Sequence, residues 1–424
     1  MFIIEDIDLI IDSYLGRIYQ IVKKNEDLEC IVQEIIESLI ESYELNGSDI
    51  LNISRKYFIT QYIASKINEK KEELEKRFEK KKNIIEKVKG LKNLELPEQR
   101  SKEWFEMRDT MLTASSLADA LGKGHFKTRE ALLIEKTSKE PPKRFGNAIT
   151  EWGVKYEQVA TTFYENINKL KIIEFGLIPH PELKVFGASP DGICDIDSPE
   201  DYIGRMLEIK CPPKRQFTSE VPEHYWMQMQ GQLASCDLEE CDFLQVKLEE
   251  YNSVTEYNDD IYEENGIIKE GVSSDNLPKG LLLAFISSKN GDTTYHYEYC
   301  EFYKSYDELK AWSFDIISNH SNNYDTIVEN WWKISRYECT LVGRDRKWWT
   351  ITMSEILNFW EDVEHYRNIG NQELIDKKEE RKNKRKKKAT DTKITKPRKV
   401  KNIITINQEI ANDIENKYLL DDSD

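Results

Sequence analysis

Proline placement constrains this chain more than any other feature. The first proline is Pro97, and nine of the twelve lie between Pro141 and Pro222. A proline inside a helix removes a backbone donor and clashes with the preceding turn. The first 96 residues are therefore open to long helices, while the middle of the chain is cut into short elements. Apolar spacing agrees with this division. Ile7, Ile10, Ile11, Tyr14, Ile18 and Ile21 recur at helical intervals, as do Ile63, Ile67, Leu74, Phe78, Ile85 and Val88. This predicts a helical accessory region over 1–96, ending near Gly90. From 97 to 303 the texture is mixed. Helical stretches near 114–138, 147–168 and 222–236 alternate with strand patterns near 183–187, 192–196, 205–211, 242–248, 281–287 and 293–300, which predicts an α/β core. Residues 304–370, with Trp331, Trp332, Trp348, Trp349 and Trp360, read as a helical extension. Residues 371–424 read as a disordered tail, basic and then acidic.

Composition narrows the class further. At 424 residues, with 39% hydrophobic and 33% charged side chains, the chain is long enough for two or three domains and too apolar for wholesale disorder. No run approaches the ~20 apolar residues of a membrane span, and no basic, apolar leader opens the sequence. Seven cysteines form no CxxC pair, which suits a reducing compartment and argues against zinc, iron-sulfur or disulfide frameworks. The expected location is intracellular. Net charge is −17, yet Lys377 to Lys401 holds fourteen Lys/Arg against three acids. Local cationic surface can thus meet a polyanion, while the acidic remainder discourages indiscriminate contact. The run Arg381-Lys382-Asn383-Lys384-Arg385-Lys386-Lys387-Lys388 fits a nucleic-acid tether or a nuclear import signal, and equally a solvated tail.

The chemistry concentrates in Gly187-Ala188-Ser189-Pro190-Asp191-Gly192 and Leu207-Glu208-Ile209-Lys210-Cys211-Pro212. Side chains alternate along a strand, so Glu208 and Lys210 share one face and Ile209 takes the other. Asp191 lies at a Pro-Asp-Gly turn, which can present a carboxylate beside a neighbouring strand. Two carboxylates and a main-chain carbonyl such as that of Ile209 are hard oxygen donors suited to Mg²⁺. With Lys210 to steady developing negative charge, the set suits phosphodiester hydrolysis. The same spacing also fits a turn aspartate followed by a surface Glu/Lys ladder on an edge strand. Further polar groups lie on flanking predicted helices, in Trp152-Gly153-Val154-Lys155-Tyr156-Glu157 and Tyr225-Trp226-Met227-Gln228-Met229-Gln230.

Together with Trp104-Phe105-Glu106-Met107-Arg108 and Leu112-Thr113-Ala114-Ser115, these segments resemble the lambda exonuclease / YqaJ viral recombinase family of PD-(D/E)xK nucleases, in the branch found in large DNA viruses. Five ordered segments cover about residues 100 to 250. The resemblance implies a restriction-endonuclease-like core, a central mixed sheet flanked by helices, with helical regions at both ends. It implies that Asp191 and Glu208 hold Mg²⁺, with Mn²⁺ as an alternative and no organic cofactor. Lys210 would act in the chemistry and Glu157 would support the metal or its water. Arg108, Ser115, Ser189 and Gln230 would hold a 5′-terminal phosphate. The implied activity is 5′-to-3′ digestion of double-stranded DNA ends in viral recombination, replication or repair, alongside a single-strand annealing partner; the expected location is the cytoplasm or a viral replication site, with the nucleus as the alternative that the basic tail offers. A nicking or structure-selective endonuclease and a catalytically silent DNA-binding scaffold are the rivals. Oligomeric state stays open, because the ~100-residue N-terminal region, the 250–280 excursion and the basic tail depart from the compact phage enzyme. Trp104 and Trp152 read as core packing and Cys211 as a small strand residue. Tyr156 and Tyr225 fit either packing or DNA contact, and Lys214 and Arg215 either backbone contact or simple solvation.

Overall fold

In the computed structural model, residues 4–24, 28–42, 50–138, 148–214, 219–289, 292–320 and 324–394 are described. The chain divides into two compact units, Met1–His365 and Tyr366–Asp424.

The proline-free N-terminus forms helices Ile4–Ser13, Leu15–Lys23, Glu29–Ser42 and Ile50–Lys92. The isoleucine stripe closes a small core of its own, in which Ile18, Ile31, Ile35, Ile63 and Ile67 are shielded from almost all solvent. The 43-residue helix then continues beyond that core. Its last turns bury Val88 and Leu91 among Met206, Leu238 and Cys241 of the following α/β region. Gly204 allows this approach: a Cβ there would stand 2.5 Å from Ile84 Cγ2, and its φ of +72° already excludes most side chains. Lys87–Asp237 at 2.7 Å and Lys92–Asp195 at 3.1 Å rim the contact.

A seven-stranded mixed sheet dominates the α/β region. Its order is Asp292–Tyr299, Lys279–Lys289, Thr326–Gly343, Glu240–Glu250, Met206–Lys210, Gly192–Cys194, Ile172–Ile173. Every neighbouring pair is antiparallel except Met206–Lys210 with Glu240–Glu250. A parallel pair needs a crossover, and helix Glu223–Cys236 supplies it. Alternation gives each face its own helix. Leu207, Ile209, Leu244 and Val246 pack under Tyr156, Phe163 and Tyr164 of helix Ala148–Asn168. Met206, Cys241 and Phe243 pack under Met229, Leu233 and Cys236 of the crossover helix. A second, three-stranded sheet joins Leu112–Thr113, Phe186–Ala188 and Ile178–Pro179. The fold is the expected α/β core, a central mixed sheet flanked by helices, with helices toward both ends.

Two expectations are corrected. Residues 304–370 are not uniformly helical: helices Tyr306–His320 and Arg346–Ile369 enclose the 18-residue strand Thr326–Gly343, which lies inside the main sheet. Its β-branched and aromatic residues favour the pleated state, and Trp331 and Trp332 are buried there. The sheet therefore extends well past the expected boundary at 303. The basic stretch is helical rather than structureless over Gln372–Ile394, in keeping with the good helix propensity of its Lys, Arg and Glu residues. The rest of the tail, including its acidic end, lies outside the described residues. All seven cysteines are free, and no helix among the described residues is long and apolar enough to cross a membrane.

Candidate active site

The strand pairing brings the two acids and the lysine together. Gly192 pairs with Leu207, so Asp191 sits one residue beyond the pairing and turns its carboxylate onto the next strand. Its Oδ2 accepts a 2.6 Å hydrogen bond from the Ile209 backbone N–H. Glu208 is fully buried on a strand flanked on both sides, which removes the edge-strand ladder reading. Its Oε1 accepts from Lys210 Nζ and, at 2.7 Å, from Gln228 Nε2. Its Oε2 accepts from Gln232 Nε2 at 2.6 Å. A buried carboxylate demands this many donors, because an unpaired one would carry a large desolvation penalty. Glu157 comes from helix Ala148–Asn168 and is held by Arg100 Nη2 at 3.0 Å.

Electrostatics bind these groups into one site. Burial holds the Asp191 carboxyl well above the ordinary range, and the nearby charges of Glu208 and Glu157 push it the same way. Burial likewise raises Glu157 against the pull of Arg100 and Lys210. Burial works against the Lys210 ammonium, but Glu208 and Asp191 outweigh it and the lysine is held above its usual value. Lys210 is therefore a fixed positive charge rather than a proton acceptor near neutrality. Its Nζ lies 5.0 Å from the Tyr225 ring centroid.

Three mutually repelling carboxylates are a donor set that fits a hard divalent cation, which would offset the excess negative charge. The structure does not draw all three into one shell. Among the described residues no three His, Cys, Asp or Glu side chains meet in a cation-binding arrangement; Arg100 bonds Glu157, while the glutamines and Lys210 bond Glu208.

A second cluster adjoins the first. Ser101 caps helix Lys102–Asp109 by accepting from Trp104 N at 3.1 Å. The helix presents Arg108, whose guanidinium lies 4.4 Å from the Trp104 ring centroid and donates to Ser115 Oγ at 3.2 Å. Trp104 Nε1 donates to Ser189 Oγ at 3.2 Å, two residues before Asp191. Arg108, Ser115 and Ser189 are thus gathered around one tryptophan.

Gln230 is not part of the cluster. Its side chain is buried, donating to Gly343 O at 2.9 Å and accepting from Asp345 N at 2.6 Å, so it anchors the start of helix Arg346–Ile369. Gln228 and Gln232 occupy the site instead. Residues four apart share a helix face, whereas two apart point to opposite sides; that i,i+4 spacing was the signal in the sequence. Arg100, in the left-handed region at φ 69°, gave no sequence signal. Tyr156 is fully buried, with its hydroxyl on Glu250 Oε1 at 2.6 Å, so it packs. Cys211 is a buried residue at the strand end, Lys214 is exposed, and Arg215 lies outside the described residues. In the Val342–Trp349 segment, Arg344 and Arg346 pair with Asp237 and Glu239, and Trp349 packs on His180 and Phe186.

Fold and site together define a mixed α/β domain whose central sheet, flanked by helices, gathers acids and a lysine at one place. Residues 103–239 match the family model of the YqaJ-like viral recombinase domain. An uncharacterised protein of Acanthamoeba polyphaga mimivirus is 30% identical over 298 residues, 64% of this chain and 53% of that protein. An African swine fever virus protein is 27% identical over 162 residues, 32% of this chain and 46% of that protein. The chain spans about half the length of the curated relatives it matches. Among solved structures, an alkaline exonuclease from Laribacter hongkongensis is similar at 20% identity and a TM-score of 0.37, covering 65% of this chain and 99% of that one. A phage-related exonuclease from Haemophilus somnus is similar at 12% identity and a TM-score of 0.33, covering 62% of this chain and 96% of that one.

Proposed function

We propose that this protein is a metal-dependent deoxyribonuclease that hydrolyses phosphodiester bonds from DNA ends, digesting double strands in the 5′-to-3′ direction for viral recombination, replication or repair. The observation that carries the reading is the fully buried Glu208, bonded by Lys210, Gln228 and Gln232, with Asp191 fastened to the neighbouring backbone N–H. A buried carboxylate beside a lysine held protonated serves no packing purpose that an apolar pair would not serve better. It does serve phosphoryl transfer. The match to a viral recombinase domain over the residues that build the site agrees with this class of reaction.

Asp191, Glu208 and the Ile209 carbonyl would hold Mg²⁺ or Mn²⁺, with Glu157 in support; such a cation supplies Lewis acidity and a more acidic bound water. The chain's own residues do the remaining work. Gln228 and Gln232 fix the rotamer of Glu208, and the Ile209 N–H fixes Asp191. Lys210 places its charge where negative charge develops on the phosphoryl oxygens, in surroundings dry enough to strengthen the interaction. Arg108, with Ser115 and Ser189, offers forked and single donors to a terminal 5′-phosphate. That contact makes an end preferable to an internal bond.

A time course on 5′-labelled linear and closed circular DNA, with and without Mg²⁺, tests the reading. Linear DNA should be shortened only with the metal, and Lys210→Ala should slow this by at least about a hundredfold. Cleavage of the closed circle redirects the assignment to an endonuclease. Hydrolysis undiminished in Lys210→Ala removes the site.

A further inference from the structure

The loop at 121–128 joins helices Leu117–Ala120 and Arg129–Thr137 and carries a large apolar ring into solvent: Phe126 is 71% exposed. The loop is not slack. Gly122 has φ +71°, and a Cβ on Gly124 would meet Asp119 Oδ1 at 1.9 Å and Lys127 O at 2.4 Å, so only glycine closes this turn. Lys123 Nζ bonds Glu223 Oε1 at 2.9 Å, which pins the loop to the start of helix Glu223–Cys236. Lys127 is paired with Glu135.

This pinning builds a run of rings that leads to the site. The Lys210 ammonium lies 5.0 Å from the centroid of Tyr225. Tyr225 lies 4.1 Å from His224. His224 stacks on His125 at 5.2 Å and 14°. Phe126 stands edge-on to both, 4.9 Å from His125 and 5.5 Å from His224. The geometry points to a stacking platform: Phe126 and the exposed His125, with His224 stacked behind them, take the bases of unpaired nucleotides in the strand whose backbone reaches Lys210.

This inference rests on the nuclease reading of Asp191, Glu208 and Lys210, and extends it from the bond that is cut to the strand that is gripped. The occupant follows from continuity, since a chain lying at Lys210 and leaving along Tyr225 meets these rings next. The exposed apolar surface is a single ring held by histidines, which suits the flat face of a base better than a protein partner's broad apolar patch. The two loop lysines are already paired with glutamates, so the contact reads bases rather than phosphates. Stacking of this kind tolerates any base sequence and adds little to the dependence of affinity on salt.

The test is equilibrium binding of the full chain to a fluorescein-labelled single-stranded oligonucleotide in EDTA, where no turnover occurs. Phe126→Ala should weaken binding by about five- to a hundredfold, Phe126→Trp should restore it, and the slope of log affinity against log salt should stay unchanged. An oligonucleotide with abasic sites should bind wild type and Phe126→Ala alike. Because the ring is exposed, the variant should melt with the wild type; His125→Ala, with the same binding prediction, stands in if it does not. Wild-type affinity in both variants, weaker binding accompanied by a flatter salt slope, or no single-strand binding by wild type overturns the platform. The nuclease reading is judged separately, by hydrolysis in Lys210→Ala, so either idea can fail alone.

Discussion

Arg108 shows how one side chain is prepared for a task. Its guanidinium rests on the Trp104 face and donates to Ser115, so most of the ordering that the proposed phosphate contact would require is done in advance. Arg108→Ala should therefore erase the advantage of 5′-phosphorylated over 5′-hydroxyl ends, a change of about ten- to a hundredfold when a charge-assisted bond is removed, while cleavage of hydroxyl ends continues. Competition between the two substrates in one tube reads this directly, and a preserved preference defeats the assignment. Asp119 makes a different prediction. Burial lifts its carboxyl to about 6, against the pull of Lys127. Its folded value lies above the unfolded one, so the fold favours the protonated form. Stability from this residue should fall as pH rises from about 4 through about 6 and then level off. Asp119→Asn should stabilise the protein at pH 7.5 by on the order of 1 kcal/mol after solvent screening, and by only about a third as much at pH 4.5. Thermal melts at the two pH values decide it, since an equal gap at both would contradict the shift.

Elements differ in how much of their role local sequence reveals. The Met206–Lys210 strand was legible because its period-2 alternation and the Pro-Asp-Gly turn before it are local signals. The Thr326–Gly343 strand was not. Its tryptophan-rich run fits either helical or strand spacing, and what makes it a strand is pairing with Lys279–Lys289 and Glu240–Glu250, far away in sequence. The crossover helix was legible as a helix but not in its orientation: its Gln pair at 228 and 232 faces Glu208, while Gln230 holds the next helix in place. The short helix Lys102–Asp109 carries both Trp104 and Arg108, so its cap reaches the site. Ser101→Ala should cost about 1 kcal/mol and weaken, without abolishing, the preference for phosphorylated ends. Chemical denaturation gives the first quantity and the competition assay the second; an unchanged midpoint would show that packing of Trp104 alone holds the helix.

At the scale of the whole molecule, charge is distributed unevenly along the chain. The stretch from 377 to 401 is strongly basic while the whole carries −17. Deleting it should weaken DNA binding and flatten the salt slope by about 0.9 for each phosphate that is no longer neutralised, with the rate of bond cleavage at saturating DNA unchanged. Binding titrations over a range of salt measure this, and an identical slope would leave the basic helix without a role in DNA affinity. The helical start and the α/β middle of the chain followed from prolines and periodicity, while one aspartate, one glutamate and one lysine stand in the sequence in an order that suits metal-assisted hydrolysis. Those properties are carried by residue type and near-neighbour spacing, which any linear reading captures. Tertiary structure alone decided that Glu208 is buried at the centre of a sheet, that Gln228 and Gln232 rather than Gln230 attend it, and that Arg100 holds Glu157. Each of these depends on which face of an element meets which distant strand, and that is settled by packing the whole core at once.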